Sequence, residues 1–192
     1  MVLDTILFGD CRETLKEFDG KARTCVTSPP YYGLRDYGGE ESQIGQEQTP
    51  EEYIQNLVEV FRSVRDVLTD DGTLWVNIGD SYYNYRPGKG QALPKQTVSK
   101  TKQDLPDKCA KRGNKLEGLK EKDLIGIPWM LAFALRADGW YLRQDIIWHK
   151  PNPMPESVKD RCTKSHEYIF LLSKNRKYYY NNEAIKEPVK QD

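Results

Sequence analysis

The sequence has no long apolar run and no secretory leader. No stretch of its 192 residues reaches the about 18 apolar residues that a membrane-spanning helix needs. No positively charged start followed by an apolar segment comes after Met1, so we expect no export signal. A chain of this length is sufficient for a hydrophobic core, and we expect a single domain over residues 1–192.

Cysteine and histidine are scarce, and their spacing does not match common metal sites. No CxxC pair occurs, and the four cysteines are scattered at Cys11, Cys25, Cys109 and Cys162. We therefore expect no metal, and free thiols in a reducing cytoplasm rather than disulfides. Of the two histidines, we interpret His166 as structural, whereas His149 is discussed below.

The formal net charge is zero, because 29 Lys and Arg residues balance 29 Asp and Glu residues. This balance does not favour a polyanionic partner, but the charges are unevenly distributed. Between Arg86 and Lys122, eleven basic residues stand against four acidic ones. Residues 84–122 have little apolar periodicity, so we interpret them as a flexible basic insertion that can contact a phosphate backbone. The candidates for this contact are Lys108, Lys111, Arg112 and Lys115.

Apolar periodicity in the rest of the chain predicts an α/β fold. Strand patterns at residues 2–8, 24–26, 73–78, 140–148 and 166–173 alternate with helical patterns at 12–18, 50–68 and 123–136. A strand, a helix and a second strand in succession favour parallel pairing. We expect a mostly parallel sheet with a C-terminal antiparallel hairpin, formed by residues 166–173 and 178–180.

The most distinctive stretch follows the strand pattern at residues 24–26 and reads Thr27-Ser28-Pro29-Pro30-Tyr31-Tyr32. Two consecutive prolines end a strand abruptly, restrict the backbone and remove two N–H donors. The carbonyl groups of Ser28 and Pro29 therefore lie in a rigid turn beside aromatic rings. Such acceptors can hold a planar group that carries an amine, although a surface turn capped by tyrosines would have the same sequence.

The motif Ser28-Pro29-Pro30-Tyr31 resembles the catalytic motif of the amino-methylating DNA methyltransferases, and in its longer form that of site-specific bacterial and phage enzymes. The similarity continues in order at residues 71–81, 126–129, 148–155 and 166–174. It implies a Rossmann-like methyltransferase sheet. It also implies methyl transfer from S-adenosyl-L-methionine to the exocyclic amine of a base that is flipped out of double-stranded DNA. Serine at the first motif position favours cytosine N4, and adenine N6 stays open.

The resemblance assigns roles to individual residues. Ser28 Oγ and the Pro29 carbonyl are candidates to accept hydrogen bonds from the target amine, within the turn that includes Pro30. Tyr31 is the candidate for stacking on the flipped base. No covalent nucleophile is needed, because the sulfonium of S-adenosyl-L-methionine is a good leaving group.

Further candidates lie around this turn. The resemblance places the cofactor side at Asp10, Cys11, Thr27 and Ser28, although a helix N-cap explains Asp10 equally well. Outside the basic insertion, the candidates for contact with DNA are Tyr32, Arg35, Tyr37, His149 and Lys150.

One element of the resembled family is missing from these residues. Enzymes with an N-terminal catalytic motif carry a later glycine-rich cofactor loop, Asp-Pro-Phe-x-Gly-x-Gly, and no such loop occurs up to Asp192. We therefore expect a truncated enzyme, or one part of a split enzyme whose missing segment or second chain carries that loop. The alternatives are a protein glutamine N5-methyltransferase and an inactive DNA-binding fragment. Serine in place of asparagine and the basic insertion argue against the former.

The basic insertion predicts a salt-sensitive contribution to DNA affinity. Replacing Lys108, Lys111, Arg112 and Lys115 together with Gln should weaken binding to duplexes of any sequence and flatten its salt dependence, because phosphate contacts release counterions. Fluorescence anisotropy with a labelled duplex at several salt concentrations measures both quantities. Unchanged affinity at low salt would contradict the assignment.

Overall fold

The computed structural model describes residues 4–34, 43–83 and 116–187. In chain order these form α1 (Cys11–Glu17), β1 (Ala22–Thr27), α2 (Pro50–Val67), β2 (Leu68–Ile78), α3 (Ile127–Ala137), β3 (Tyr141–His149), β4 (His166–Ser173) and a short 3-10 helix (Glu183–Ile185). The alternation confirms the α/β class. Five predicted elements, at residues 12–18, 24–26, 50–68, 140–148 and 166–173, lie within two residues of their observed bounds.

The strands form one mixed sheet in the order β1-β2-β4-β3. β1 pairs parallel with β2, and α2 connects them, as the strand–helix–strand pattern predicts. β4 pairs antiparallel with both β2 and β3. The expectation of a mostly parallel sheet is therefore wrong for the strands that the structure describes, because β4 enters between β2 and β3.

The C-terminal antiparallel hairpin exists, but its strands are β3 and β4 rather than residues 166–173 and 178–180. Residues 178–180 form no strand. The Tyr179 N–H instead donates to the Asp71 carbonyl at 3.0 Å, and the Arg23 guanidinium lies 5.2 Å from the centre of the Tyr179 ring. Both edges of β4 are already paired, so residues 178–180 cannot add to it.

Helix α2 begins as its sequence predicts. The Thr49 hydroxyl accepts the Glu52 N–H, the Glu52 carboxylate accepts the Thr49 N–H, and Pro50 occupies the first turn. The predicted apolar stripe of α2 is buried. Together with the inward side chains of the sheet and of α3 it forms the hydrophobic core. The largest fully buried side chains of this core are Tyr53, Phe61, Phe170, Leu57, Leu68, Leu74, Ile78, Ile127, Leu131, Leu135, Leu172 and Val76.

Helix α3 begins at Ile127, four residues later than predicted. Gly126 precedes it with a left-handed φ of 88°, and the Asp80 carboxylate accepts the N–H groups of Gly126 and Ile127. A carboxylate at this position satisfies free N–H groups and the positive end of the helix dipole, which fixes the helix start. Leu124, predicted to be inside, is 49% exposed and bridges to Tyr82.

Two other strand predictions differ from the structure. β2 begins at Leu68, five residues before the predicted strand at 73–78. Its pairing with β1 shifts register between Ala22 and Thr24, which accommodates the extra residues. The described part of residues 2–8 forms no strand. There, the side chains of Ile6, Leu7 and Phe8 are exposed.

No helix in residues 4–34, 43–83 and 116–187 is long and apolar enough to cross a membrane.

Candidate active site

The Ser-Pro-Pro-Tyr segment, called the turn below, leaves β1 at the end of the sheet where β2 also ends. It has no regular structure itself and leads into a turn in which the Leu34 N–H donates to the Tyr31 carbonyl at 3.3 Å. Thr27, the last residue of β1, pairs with Val76, two residues before the end of β2. The carboxyl ends of parallel strands lie at the same end of the sheet, and open α/β sheets bind ligands just beyond those ends. The turn therefore lies beside residues 77–81, which follow Val76. Ser28 is exposed, and Tyr31 is half-buried.

A fully buried tyrosine of α2 anchors the turn through a hydrogen bond and a ring contact. The Tyr53 hydroxyl donates to the Pro30 carbonyl at 2.7 Å, and the Tyr53 ring packs against Tyr32 with their centres 5.5 Å apart. Burial raises the pKa of Tyr53, which keeps its hydroxyl protonated and able to donate. The Pro30 carbonyl thus accepts one hydrogen bond, whereas no described group donates to the Pro29 carbonyl.

Two hydrogen bonds to backbone carbonyls fix the residues that follow Tyr31. The Gly33 N–H donates to the Gly45 carbonyl at 2.8 Å, and the Ser81 hydroxyl donates to the Tyr32 carbonyl at 3.2 Å. Gly45 has a φ of 99°, and an added Cβ would lie 3.1 Å from the Tyr31 carbonyl oxygen. Glycine fits this close, left-handed position without strain. The turn is thus fixed by groups that lie up to about 50 residues further along the chain.

The Tyr31 side chain is held at both its ring and its hydroxyl. Its hydroxyl lies 3.1 Å from Asn77 Oδ1 and 3.2 Å from Glu167 Oε2. Its ring lies directly on the backbone at Gly79, because an added Cβ there would be only 2.5 Å from Cε2 of Tyr31. Any larger residue at position 79 would displace the ring.

Asn77 links the turn to β4. Its amide nitrogen donates to the Tyr168 carbonyl at 3.2 Å, so that its oxygen faces the hydroxyls of Ser28 and Tyr31. Ser28 Oγ donates to Asn77 Oδ1 over a long 3.4 Å contact. With its proton directed at Asn77, Ser28 Oγ presents its lone pairs to a substrate. Together with the Pro29 carbonyl it forms a pair of acceptors beside an aromatic ring.

A glutamate and a lysine complete the site. Lys150 Nζ donates to Glu167 Oε1 in an ion pair between the two arms of the β3–β4 hairpin. Partial burial acts to raise the pKa of Glu167, but the hydrogen bond and charge of Lys150, with help from Asn77 and Tyr31, lower it overall. Burial raises the pKa of Tyr31, and the negative charge of Glu167 raises it further. A hydrogen bond from Ser28 acts in the opposite direction. Glu167 is thus ionised and can only accept, so Tyr31 donates.

The structure brings several of the predicted residues together. Ser28, Pro29, Pro30 and Tyr31 form the turn, and Lys150 reaches Tyr31 through Glu167. Tyr32 packs on Tyr53 and has a pKa raised to about 12, chiefly by burial and also by nearby glutamates. Its contact with DNA stays a prediction.

Other predicted residues lie elsewhere or outside the described residues. Asp10 caps α1, accepting the Arg12 N–H and its guanidinium, and these hydrogen bonds lower its pKa to about 2. No described hydrogen bond joins Asp10 to the turn, and Cys11 opens the helix behind it. His149 ends β3 opposite His166. The candidates that fall outside the described residues are Arg35, Tyr37, Lys108, Lys111, Arg112 and Lys115.

Four residues of the site received no role from the sequence: Tyr53, Asn77, Gly79 and Glu167. The last three lie in the stretches 71–81 and 166–174 that carry the family resemblance. Asn77 was detectable as a polar residue inside the apolar run that ends β2. Tyr53 has no signal of its own, because it occupies an ordinary apolar position of the α2 stripe. Within the described residues, no group of three His, Cys, Asp or Glu side chains could hold a metal ion.

Comparison with known proteins gives family and fold. The N6/N4 family described as DNA methylase matches residues 22–192. The type II methyltransferase M.SmaI of Serratia marcescens is 55% identical over 190 residues, which cover 96% of this chain and 60% of the relative. M.Cfr9I of Citrobacter freundii is 53% identical over 184 residues, 95% of this chain and 58% of the relative. The chain thus spans about 60% of the length of these curated relatives.

Solved structures share the fold at low identity. PvuII DNA methyltransferase, titled cytosine-N4-specific, superposes with a TM-score of 0.55 at 17% identity, over 88% of this chain and 49% of its own. TTHA0409 of Thermus thermophilus, in complex with S-adenosyl-L-methionine, gives 0.55 at 21% identity, over 92% and 55%. These likenesses concern the fold alone.

The bond from Tyr53 to Pro30 predicts a measurable cost when the hydroxyl is removed. Tyr53→Phe keeps the buried ring but leaves the Pro30 carbonyl without its donor, which should destabilise the chain by about 1 kcal/mol in urea unfolding. Tyr180→Phe, at a half-exposed tyrosine, is the control and should change little. Equal stability of wild type and Tyr53→Phe would show that water replaces the bond.

Proposed function

The chain belongs to the N6/N4 DNA methylase family, and we propose that it is the catalytic part of a site-specific DNA methyltransferase. The reaction moves a methyl group from S-adenosyl-L-methionine to the exocyclic amine of a base flipped out of double-stranded DNA. The observation that carries the proposal is that the Ser-Pro-Pro-Tyr segment follows β1 where β2 also ends, with Ser28 Oγ and the Tyr31 hydroxyl both beside Asn77 Oδ1. We propose Ser28 Oγ and the Pro29 carbonyl as its pair of acceptors.

The acceptor pair suits the electronic demand of this reaction. The lone pair of an exocyclic amine is delocalised into the base ring, so the nitrogen is a poor nucleophile. Two acceptors, one for each N–H, favour a tetrahedral nitrogen. Its lone pair is then localised on the nitrogen rather than delocalised into the ring, and it can attack the methyl group. Ser28 Oγ has lone pairs left when its own proton is directed to Asn77 Oδ1, and the Pro29 carbonyl can accept because no described group donates to it.

Tyr31 supplies the surface that a flipped base needs. A base loses its stacking partners when it leaves the duplex, and an aromatic ring replaces part of that energy, about 1–3 kcal/mol per base. The Tyr31 ring is fixed against Gly79 and tied through its hydroxyl, so it is oriented before the base arrives. Preorganisation of this kind lowers the entropy lost on binding.

The cofactor side rests on residues near the start of α1 and the end of β1. S-adenosyl-L-methionine supplies the electrophilic methyl group when bound. The Asp10 carboxylate is exposed and ionised at neutral pH, so it can accept hydrogen bonds from hydroxyl or ammonium groups. With Cys11, Thr27 and Ser28 it therefore fits one part of such a ligand. We propose that a glycine-rich segment outside these 192 residues, in the same or a second chain, completes the pocket.

Cytosine N4 is the favoured target. Serine opens the motif, and the PvuII enzyme, which shares the fold, is titled cytosine-N4-specific. Adenine N6 is the alternative, and its exocyclic amine would present the same two N–H groups. The named relatives are type II methyltransferases, which suggests a restriction–modification setting. A protein glutamine N5-methyltransferase is disfavoured by Ser28, and an inactive DNA-binding fragment is the remaining alternative.

The basic insertion is proposed as the main contact with the DNA backbone, and we propose that residues 1–192 belong to one catalytic domain that includes it. Its two ends meet, because the Tyr83 N–H donates to the Asp123 carbonyl and the Lys122 N–H donates to the Tyr83 carbonyl, both at 2.8 Å. An insertion closed in this way leaves the domain intact. His149 and Lys150, at the end of β3, are proposed as further contacts near the target base.

The direct test is to incubate the chain with unmethylated DNA and S-adenosyl-L-methionine, digest the DNA and analyse the nucleosides by mass spectrometry. N4-methylcytosine or N6-methyladenine would establish the reaction and the base. If the chain yields neither, a chain extended by the C-terminal part of a relative is assayed in the same way. No methylated nucleoside from either chain would favour the DNA-binding fragment.

Variants of the turn separate its two roles. Tyr31→Ala should lose most turnover because stacking is lost, whereas Tyr31→Phe should retain part of it. Ser28→Ala should reduce turnover and leave the Pro29 carbonyl as the sole acceptor, by about 10- to 100-fold if the hydroxyl contributes a full hydrogen bond in the transition state. Equal rates in wild type, Tyr31→Ala and Tyr31→Phe would refute the stacking role.

A further inference from the structure

We propose that Glu167 is a positioning residue of the methyl-transfer site, which holds the Tyr31 ring through its phenolic hydroxyl and is itself held by Lys150; this inference rests on the proposed function. Glu167 lies 136 residues from Tyr31 in the chain and belongs to β4, yet its Oε2 is 3.2 Å from the Tyr31 hydroxyl. The group formed by Tyr31, Glu167 and Lys150 is called the tyrosine tether below.

A proton count indicates which hydrogen bonds the tether contains. The Tyr31 hydroxyl has one proton and two nearby acceptors, Asn77 Oδ1 at 3.1 Å and Glu167 Oε2 at 3.2 Å. A charged acceptor makes the stronger bond, so the proton goes chiefly to Glu167. Asn77 Oδ1 then stays open to the Ser28 hydroxyl at 3.4 Å. Ser28 is also close enough to hydrogen-bond to the Tyr31 hydroxyl, so we assign the effect of Glu167 to the Tyr31 ring alone.

The tether complements the contact at Gly79. The backbone of Gly79 limits the ring on its Cδ2 and Cε2 side, but this contact alone allows the ring to swing away. The bond at the hydroxyl restrains the far end of the ring. Two restraints at opposite ends define the plane on which a base would stack, and neither of them requires a substrate to be present.

Lys150 maintains the charge of the tether. Glu167 is only partly exposed, with 18% of its side chain accessible, and an unpaired carboxylate there would be costly. Lys150 offsets this charge directly, and the half-buried ammonium of Lys164 adds a weaker attraction. The pKa of Glu167 is accordingly below its usual value, which keeps the carboxylate an acceptor at neutral pH.

A double-mutant cycle tests the tether through activity. Glu167→Gln and Tyr31→Phe should each lower kcat about tenfold with little change in KM for DNA, and the double variant should be no slower than either one. Independent losses that multiply in the double variant would overturn the proposal, as would an unchanged kcat. Glu167→Asp keeps the charge but shortens the reach, so it should resemble Glu167→Gln.

The matched control is a second lysine–carboxylate pair at the other end of β2. Asp70 Oδ1 lies 3.6 Å from Lys174 Nζ, and Asp70 is seven residues, roughly 23 Å of strand, from Asn77. Asp70 is 94% exposed, so Asp70→Asn removes a charge of the same sign without disturbing a buried contact and should leave kcat unchanged. A loss equal to that of Glu167→Gln would indicate a general charge effect and overturn the positioning role.

A second measurement does not depend on activity. In the chain labelled with ¹³Cζ-tyrosine, Tyr31→Phe identifies the Tyr31 signal. Glu167→Gln should lower the pKa of Tyr31, because the carboxylate that disfavours the phenolate is gone. An unmoved Tyr31 titration would refute the tether even in an active enzyme. A lowered pKa in a chain that transfers no methyl group would support the tether while the proposed function fails.

Discussion

The parallel pairing of β1 with β2 is the constraint on which the site depends. The register that joins Thr27 to Val76 makes both strands end at one edge of the sheet. The two prolines after β1 prevent further pairing, so the chain must turn there. The turn consequently meets the residues that follow Val76. Asn77 faces its hydroxyls, and Gly79 lies under its tyrosine ring. A shift of one residue would turn Asn77 to the other face.

The antiparallel strand β4 adds the charged part of the site. Because β4 lies between β2 and β3, Glu167 comes beside the end of β2, next to the pairing of Ile78 with Tyr168. The same hairpin places Lys150 after β3, within reach of Glu167. An ion pair formed between the two arms of a hairpin is held by both strands. The strands thus hold the two backbones close together, and the charge-assisted hydrogen bond keeps the carboxylate near Tyr31.

The acceptors of the turn are defined by the hydrogen bonds around them. Of the two proline carbonyls, Tyr53 occupies one and leaves the other open, while the Ser28 proton is directed at Asn77. Under the proposed function, these acceptors would meet the two N–H groups of an exocyclic amine. They are in place before any substrate binds, which is how preorganised polar groups contribute to catalysis. Family membership and this geometry agree, although they are independent observations.

The sequence by itself determined the α/β class, the β1–α2–β2 unit, the buried stripe of α2 and the position of the turn at residues 28–31. These features follow from local periodicity, capping and the restricted backbone of proline, which need no distant partner. Only the tertiary structure decided the insertion of β4, the late start of α3 at Ile127 and the roles of Tyr53, Gly79 and Glu167. Each of these depends on residues far apart in the chain: both edges of β4 are paired, Asp80 caps α3, and Glu167 meets Tyr31 across 136 residues. Local patterns carry no information on such contacts, because strand order and register are set by packing of the whole sheet.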